Sequence, residues 1–170
     1  MNDWLKTVYS ETSSLELNKH YKKWSNRYDQ DMQEWGYAYP VQLKKILKEN
    51  LRIKKNIKIL DAGCGTGYVA EALVELKFKN IVGIDFSQAM LEIAKQKKIY
   101  SKLICQSLNE KIKLRSNQFE LVICTGVLTS GHVGPDSIKE LIRVVKPCGY
   151  FICSIAESIF KKNGFKKEIE

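Results

Sequence analysis

Residues 57–67 read IKILDAGCGTG, an apolar run that passes directly into a turn with glycines at Gly63, Gly65 and Gly67. Ile57 to Leu60 predict a short strand, because aliphatic and β-branched residues favour buried strands. The glycines allow the backbone to turn sharply and a ligand to lie directly on the main chain. Apolar residues at helical spacing follow, so the segment predicts a strand–turn–helix unit whose helix begins near Tyr68.

The same alternation extends in both directions along the chain. Helical periodicity is seen over 41–51, 87–94 and 136–145, and further apolar strands are predicted at 80–85, 102–105, 119–124 and 150–153. Almost uniformly apolar strands that alternate with helices are typical of a parallel sheet covered on both faces. With right-handed crossovers, the pattern predicts an α/β fold with a doubly wound, mostly parallel sheet.

Composition excludes several classes of protein. The 170 residues, 44% of them hydrophobic, suit one domain with a sizeable core. No apolar stretch is long enough to cross a bilayer, and the first residues lack the layout of a secretion signal. The five cysteines form no C-x-x-C pair, so neither zinc nor a disulfide scaffold is predicted, and Cys105 and Cys124 are expected to be buried. We expect a cytoplasmic protein, with the nucleus as the alternative.

The net charge of +9 comes partly from two lysine-rich clusters, at 44–58 and 161–166. A basic face can attract phosphates, but neither cluster has the interleaved aromatic residues on which nucleic-acid bases stack. The pattern favours solvated surface, with a contact to a polyanion as the alternative.

A candidate ligand site follows from the strand ends. In a doubly wound fold, ligands bind beyond the carboxyl ends of the strands, where the strand order reverses. The glycine turn lies at one such end, and Asp85 lies at the end of the next strand, where a carboxylate can accept both ribose hydroxyls. Together they predict a nucleoside-bearing ligand. The alternative is a tight packing turn, with Asp85 capping a helix.

The type of nucleoside is narrowed by what the turn lacks. A dinucleotide fingerprint counted from Gly63 would need a third glycine where Tyr68 stands, and no Gly-Lys-Ser/Thr follows as in a phosphate-binding P-loop. Asp61 adds negative charge at the turn, which suits a cationic ligand better than a pyrophosphate.

The motif Asp61-x-Gly63-x-Gly65-x-Gly67 followed by Asp85 resembles the first two motifs of class I S-adenosylmethionine (SAM)-dependent methyltransferases. Segments 79–91, 119–124 and 140–147 resemble later parts of the same family, and 21–31 and 126–133 are similar to a narrower group of methyltransferase-like proteins. The resemblance covers roughly residues 18–155. It implies a Rossmann-like class I methyltransferase fold, SAM as cofactor, and methyl transfer to an unidentified small-molecule or protein acceptor.

The resemblance also implies roles for individual residues. The three turn glycines would cradle the methionine portion of SAM, with Asp61 contacting its ammonium directly or through water. Asp85 would hold the ribose hydroxyls, and Phe86 and Met90 would flank the adenine.

Further roles fall on the ends of the third and fourth strands. Ser107, followed by Leu108, stands where the family usually has an acidic residue that meets the adenine amino group, and a hydroxyl is the weaker acceptor. Thr125 and Gly126 would line the cofactor near the transferable methyl.

Cys148 replaces a glycine of the family's turn before the fifth strand, which costs roughly 1–2 kcal/mol if the backbone there is left-handed.

The resemblance divides the chain into an N-terminal helical lid, 1–40, and a SAM-binding core, 41–170. Tyr28 of the lid would fold over the cofactor, although a helix merely packed on the sheet is the alternative. His132 is the one candidate general base, and a loop histidine without a chemical role is the more conservative interpretation. No metal ligand is predicted.

The family's sheet has seven strands, and no sixth or seventh strand is visible after residue 155. We therefore expect a chain truncated after strand five, whose exposed edge could pair with a second copy. The alternatives to an active enzyme are an inactive SAM-fold protein or truncated isoform with a binding or regulatory role and, with less support, an RNA methyltransferase.

Overall fold

The computed structural model describes residues 13–49, 53–129, 133–160 and 164–166. Three helices come first in these ranges, and strands then alternate with helices. The elements are α1 (Ser14–Trp24), α2 (Tyr28–Glu34), α3 (Tyr39–Glu49), β1 (Lys58–Ala62), α4 (Ala70–Glu75), β2 (Asn80–Asp85), α5 (Gln88–Gln96), β3 (Lys102–Cys105), β4 (Phe119–Leu128), α6 (Asp136–Val144), β5 (Val145–Ile155) and α7 (Glu157–Phe160). None of the helices described there is long and apolar enough to cross a membrane.

The strands form one parallel sheet in the order β3-β2-β1-β4-β5. Leu60 of β1 pairs with Val82 of β2 on one side and with Val122 of β4 on the other. The chain thus winds outward in both directions from β1, and the predicted doubly wound sheet is confirmed. The carboxyl end of β1, which carries the glycine turn, lies where the strand order reverses.

Both faces of the sheet are covered. Successive side chains of a strand point to opposite faces, so Ile59 packs with α3 and α4 while Leu60 packs with α6. Both side chains are fully buried. Because both faces of the sheet are covered, apolar and polar residues do not alternate along the strands.

The described part of segment 1–40 forms α1, α2 and the start of α3. Ser13 caps α1 by accepting the Glu16 N–H at 3.2 Å. The indole Nε1 of Trp24 donates to the Asp31 carboxylate at 2.6 Å, which ties α1 to α2. An aromatic layer extends from Trp24 to Phe86 at the end of β2. The two helices therefore lie against the carboxyl edge of the sheet.

The outer strands explain one wrong prediction and two confirmed ones. Cys124 is buried, but Cys105 is exposed, because β3 is an edge strand with one side open to solvent. β5 is the other edge, and it pairs with β4 alone among the described residues, as expected. Cys148 has a left-handed φ of +60°, so the cost stated for a non-glycine residue at this position applies. Self-association through the β5 edge stays a prediction.

Candidate functional site

A cleft opens at the carboxyl end of the sheet and encloses about 740 Å³, including its solvent-filled mouth. The structure brings most of the sequence-predicted site residues to it. They are Tyr28, Gly63, Gly65, Asp85, Phe86, Met90, Ser107, Leu108, Thr125 and Gly126. Asp61 and Gly67 do not line the cleft, and His132 lies outside the described residues.

Backbone hydrogen bonds fasten the glycine turn to the neighbouring strand. The N–H groups of Gly63 and Cys64 both donate to the carbonyl oxygen of Ile84, at 2.7 and 3.1 Å. Because Ala62 is in register with Ile84, the end of β1 and the end of β2 lie side by side. The turn and the carboxylate of Asp85 consequently face the same space.

Backbone N–H groups bind both carboxylate oxygens of Asp85. Its Oδ2 accepts the Gly65 N–H at 2.9 Å, and its Oδ1 accepts the Ser87 N–H at 2.8 Å. Ser87 occupies the N-cap position of α5, but its own hydroxyl makes no capping bond. Asp85 therefore accepts a hydrogen bond at the start of α5, which is the helix-capping role that the alternative interpretation assigned to it. Each carboxylate oxygen still has a second lone pair, so the same group can also accept two ribose hydroxyls.

Burial changes the ionisation of Asp85. Removal from water raises the pKa of its carboxyl from the ordinary value of 3.8 to about 6, while the donors at Ser87, Gly65 and Phe86 lower it in part. The group is thus mostly ionised at neutral pH and becomes protonated in mildly acidic solution. Only the ionised form offers two oxygens as acceptors.

Asp61 does not line the cleft, and its carboxylate has a hydrogen-bond partner within the fold. Its buried carboxylate lies beneath the glycine turn, where Oδ2 accepts the Tyr100 hydroxyl at 2.7 Å. The Tyr100 ring also packs against Gly67, which explains why neither motif residue lines the cleft. Burial raises the pKa of Asp61 to about 6, the Tyr100 bond lowers it in part, and the nearby charge of Asp85 raises it. The contact of Asp61 with the ligand ammonium, directly or through water, stays a prediction, and within the fold its carboxylate is bound by Tyr100.

Replacing Tyr100 by phenylalanine is expected to lower the free energy of unfolding by about 1–3 kcal/mol at pH 8, since an ionised buried carboxylate loses its donor. Because the folded-state pKa of Asp61 exceeds its unfolded value, this group favours the fold below pH 4, and that contribution is lost as the pH rises through 6. The loss in the variant should therefore be smaller at pH 5 than at pH 8. Urea unfolding at both pH values measures it.

Tyr150→Phe is the matched control, because Tyr150 is exposed on β5. It should change the unfolding free energy by less than about 0.5 kcal/mol. Equal losses in the two variants, or a larger loss at pH 5 than at pH 8 for Tyr100→Phe, would contradict the assigned role of Tyr100.

The inner wall of the cleft is apolar. Met90 and Leu108 are buried, and Phe86 stands at the mouth, where Tyr21 of α1 meets its ring edge-on at 5.8 Å. Ser107 Oγ accepts the Asn109 N–H at 3.1 Å, so this hydroxyl is already part of a turn. A flat heterocycle can lie between these apolar side chains.

Sequence reasoning missed several lining residues, namely Leu17, Tyr21, Tyr37, Asn109, Val127 and Val133. Their only signal was indirect. Tyr21 and Tyr37 belong to the aromatic-rich segment before residue 40, but spacing alone did not say which of those rings face the sheet.

The model of the methyltransferase domain family matches residues 60–153, more than half of the chain. The chain belongs to this family. It is 32% identical over 152 residues to human methyltransferase-like protein 27, an alignment that covers 88% of this chain and 61% of the relative. It is 31% identical over 144 residues to malonyl-[acyl-carrier protein] O-methyltransferase of Priestia megaterium, covering 81% of this chain and 50% of that protein. The chain thus spans about half to three fifths of these relatives.

The fold is shared with solved structures. A putative S-adenosyl-L-methionine-dependent methyltransferase from Methanococcus maripaludis superimposes with a TM-score of 0.65 at 20% identity, covering 87% of this chain and 74% of that one. A putative methyltransferase in complex with the Haloferax volcanii Trm112 methyltransferase activator also gives 0.65, at 17% identity, covering 86% and 66%. These matches confirm the Rossmann-like class I fold.

SAM is the cofactor of this family, and the cleft has the chemistry to hold it. One carboxylate, Asp85, is placed for a ribose, and the apolar wall of Met90 and Leu108 suits an adenine. The backbone of Gly63 and Gly65 is open to the cleft beside them. No second charged side chain lines it among the described residues.

Proposed function

We propose that the chain binds SAM in this cleft and transfers the methyl group to a small-molecule acceptor. The observation that carries the proposal is the convergence of Asp85, the glycine turn and Thr125–Gly126 of β4 on one space. Family membership supports the reaction type. Ligands of open α/β sheets bind outside the carboxyl ends of the strands where the strand order reverses, and these three elements lie at that edge.

Each element has a proposed task. Asp85 accepts hydrogen bonds from both ribose hydroxyls, Phe86, Met90 and Leu108 enclose the adenine, and Ser107 lies at its edge. Gly63 and Gly65 bring the main chain against the methionine portion. Asp61 and Gly67 act through the turn as positioning residues, and Thr125 and Gly126 border the methyl group.

The bound cofactor supplies an electrophilic methyl group on a sulfonium. The residues of the chain align the reactants and exclude water, which is the part of catalysis that a protein contributes to a direct displacement. Tyr21 of α1 and Tyr28 of α2 line the cleft. We propose that these two helices serve as the lid predicted for segment 1–40.

Calorimetric titration with SAM and with S-adenosylhomocysteine tests binding, and transfer of a labelled methyl group from SAM to cell-extract metabolites tests activity. Saturable binding followed by labelling of a small molecule is the expected result. Undetectable binding at millimolar SAM would contradict the proposal. Binding without any labelled product would favour the non-catalytic alternative, and labelling of RNA with steeply salt-dependent affinity would favour the nucleic-acid alternative.

A further inference from the structure

A second cavity adjoins the cofactor cleft on the side of Gly126. It encloses about 1120 Å³, including its open mouth, and shares Tyr21, Tyr28, Tyr37 and Gly126 with the cleft. The two spaces therefore meet at the end of β4, where the transferable methyl group lies under the proposed function. At this junction the Tyr37 hydroxyl lies directly over Gly126, where an added Cβ would clash with its oxygen, so Tyr37 stands between a molecule in the second cavity and Gly126.

Six of the thirteen described residues that line this cavity are aromatic. The rings come from α1, α2 and the segment up to the start of α3, and they are Tyr21, Trp24, Tyr28, Trp35, Tyr37 and Tyr39. The residues that belong to β4 and β5 or directly follow them are Leu128, Thr129, Ser154 and Ala156, and we call them the sheet side. None of the described residues that line the cavity carries a charge.

The uncharged wall restricts which molecules can bind. A carboxylate or phosphate that entered the cavity would lose hydrating water, and no cationic side chain of the wall would pair with it. Burying an unpaired ion costs several kcal/mol. The few polar groups on the sheet side include the Ser154 hydroxyl, whose oxygen accepts the Gly126 N–H at 2.8 Å. The cavity offers hydroxyls, but it offers no partner for an anion.

A cationic occupant is also disfavoured, because the rings pack on one another instead of standing apart around a central space. The centroid of Trp24 lies 4.8 Å from that of Tyr28 and 5.6 Å from that of Trp35, and Tyr37 lies 4.7 Å from Tyr39. The buried carboxylate of Asp31, which could neutralise a cation, is held by the Trp24 indole and by Arg27.

We propose that this cavity is the acceptor site and that it takes an uncharged, flat aromatic small molecule. The acceptor lies against the rings, with its hydroxyl or amine turned toward the Tyr37 hydroxyl beside Gly126. In the transfer, a bond forms between the acceptor oxygen or nitrogen and the methyl carbon, and the carbon–sulfur bond breaks with its electron pair kept by sulfur. The acceptor proton passes to solvent. This proposal rests on the proposed function for the reaction, but its binding test does not require SAM.

Three probes that share one ring system test the selectivity: 2-naphthol, 2-naphthoate and 2-naphthyltrimethylammonium. Calorimetry with the 170-residue chain should give at least tenfold tighter binding of 2-naphthol than of either charged probe. Equal or tighter binding of 2-naphthoate or of the ammonium would overturn the proposal, as would the absence of 2-naphthol binding at millimolar concentration.

A cavity-filling variant locates the bound probe. Ala156 lines the second cavity and not the cofactor cleft, so Ala156→Phe should weaken 2-naphthol binding at least tenfold and change the dissociation constant for SAM less than twofold. Val41→Phe, at a position on α3 that is 66% exposed, is the matched control and should change neither. If Ala156→Phe does not fold, Trp35→Leu, which removes one ring of the wall, should weaken 2-naphthol binding about fivefold.

The outcomes separate the two proposals. Loss of SAM binding with 2-naphthol selectivity intact would reject the proposed function and leave the aromatic cavity as a binding site. SAM binding without 2-naphthol selectivity, or 2-naphthol binding that is unchanged in Ala156→Phe, would reject the acceptor site alone.

Discussion

Replacing Asp85 by asparagine should weaken SAM binding about a hundredfold at pH 7.5. The carboxylate would accept two ribose hydroxyls, and hydrogen bonds to a charged group contribute about 1.5–3 kcal/mol each. Asparagine has one acceptor oxygen, which cannot serve the Gly65 and Ser87 N–H groups and both hydroxyls together. Calorimetry measures the change, with Glu92→Gln, an exposed position on α5, as the control that should bind SAM like the wild type.

The same carboxylate predicts how affinity depends on pH. Since burial raises the pKa of Asp85 to about 6, the wild type should lose SAM affinity as the pH falls through 6, approaching tenfold per pH unit below it. Asp85→Asn should lack this dependence, although Asp61 still titrates in the variant. A wild-type dissociation constant that stays flat between pH 5 and pH 7.5 would contradict the assigned role of Asp85.

Two alanine substitutions in the glycine turn should differ in whether folding or SAM binding suffers more. At Gly63, φ is +75° and an added Cβ would lie 2.2 Å from Val127 Cγ2, so Gly63→Ala should destabilise the fold by about 3 kcal/mol or more. At Gly65, φ is +51° and an added Cβ meets nothing within 4 Å. Gly65→Ala should therefore cost only about 1–2 kcal/mol of stability, yet weaken SAM binding at least tenfold, because its methyl group enters the space proposed for the ligand.

Urea unfolding and calorimetry separate these effects. Gly134→Ala, where an added Cβ also meets nothing within 4 Å and φ is not positive, should change neither quantity appreciably. A Gly65→Ala variant that folds and binds SAM with wild-type affinity would show that the ligand does not lie on the turn.

The sequence was sufficient for the sheet and for the residues at the strand ends. Once β1 and β2 are known to be parallel neighbours, their carboxyl ends must lie side by side. The register that joins Ala62 to Ile84 then brings the glycine turn beside Asp85.

Contacts between distant segments were not predictable. Asp61 turns to Tyr100, which lies 39 residues further along the chain and has no motif around it. Cys105 sits in an apolar run, and only the strand order shows that this run lies at an exposed edge. The aromatic residues before residue 40 indicated a packed segment, but their division between the cleft and the second cavity depends on how α1 and α2 lie on the sheet.

A crystal structure of the chain with S-adenosylhomocysteine tests the central claim most directly. We expect both ribose hydroxyls within about 3 Å of the Asp85 carboxylate, the adenine against Met90 and Leu108, and the sulfur beside Thr125 and Gly126. A nucleoside bound elsewhere, or bound in the cleft with its hydroxyls turned to solvent, would contradict it.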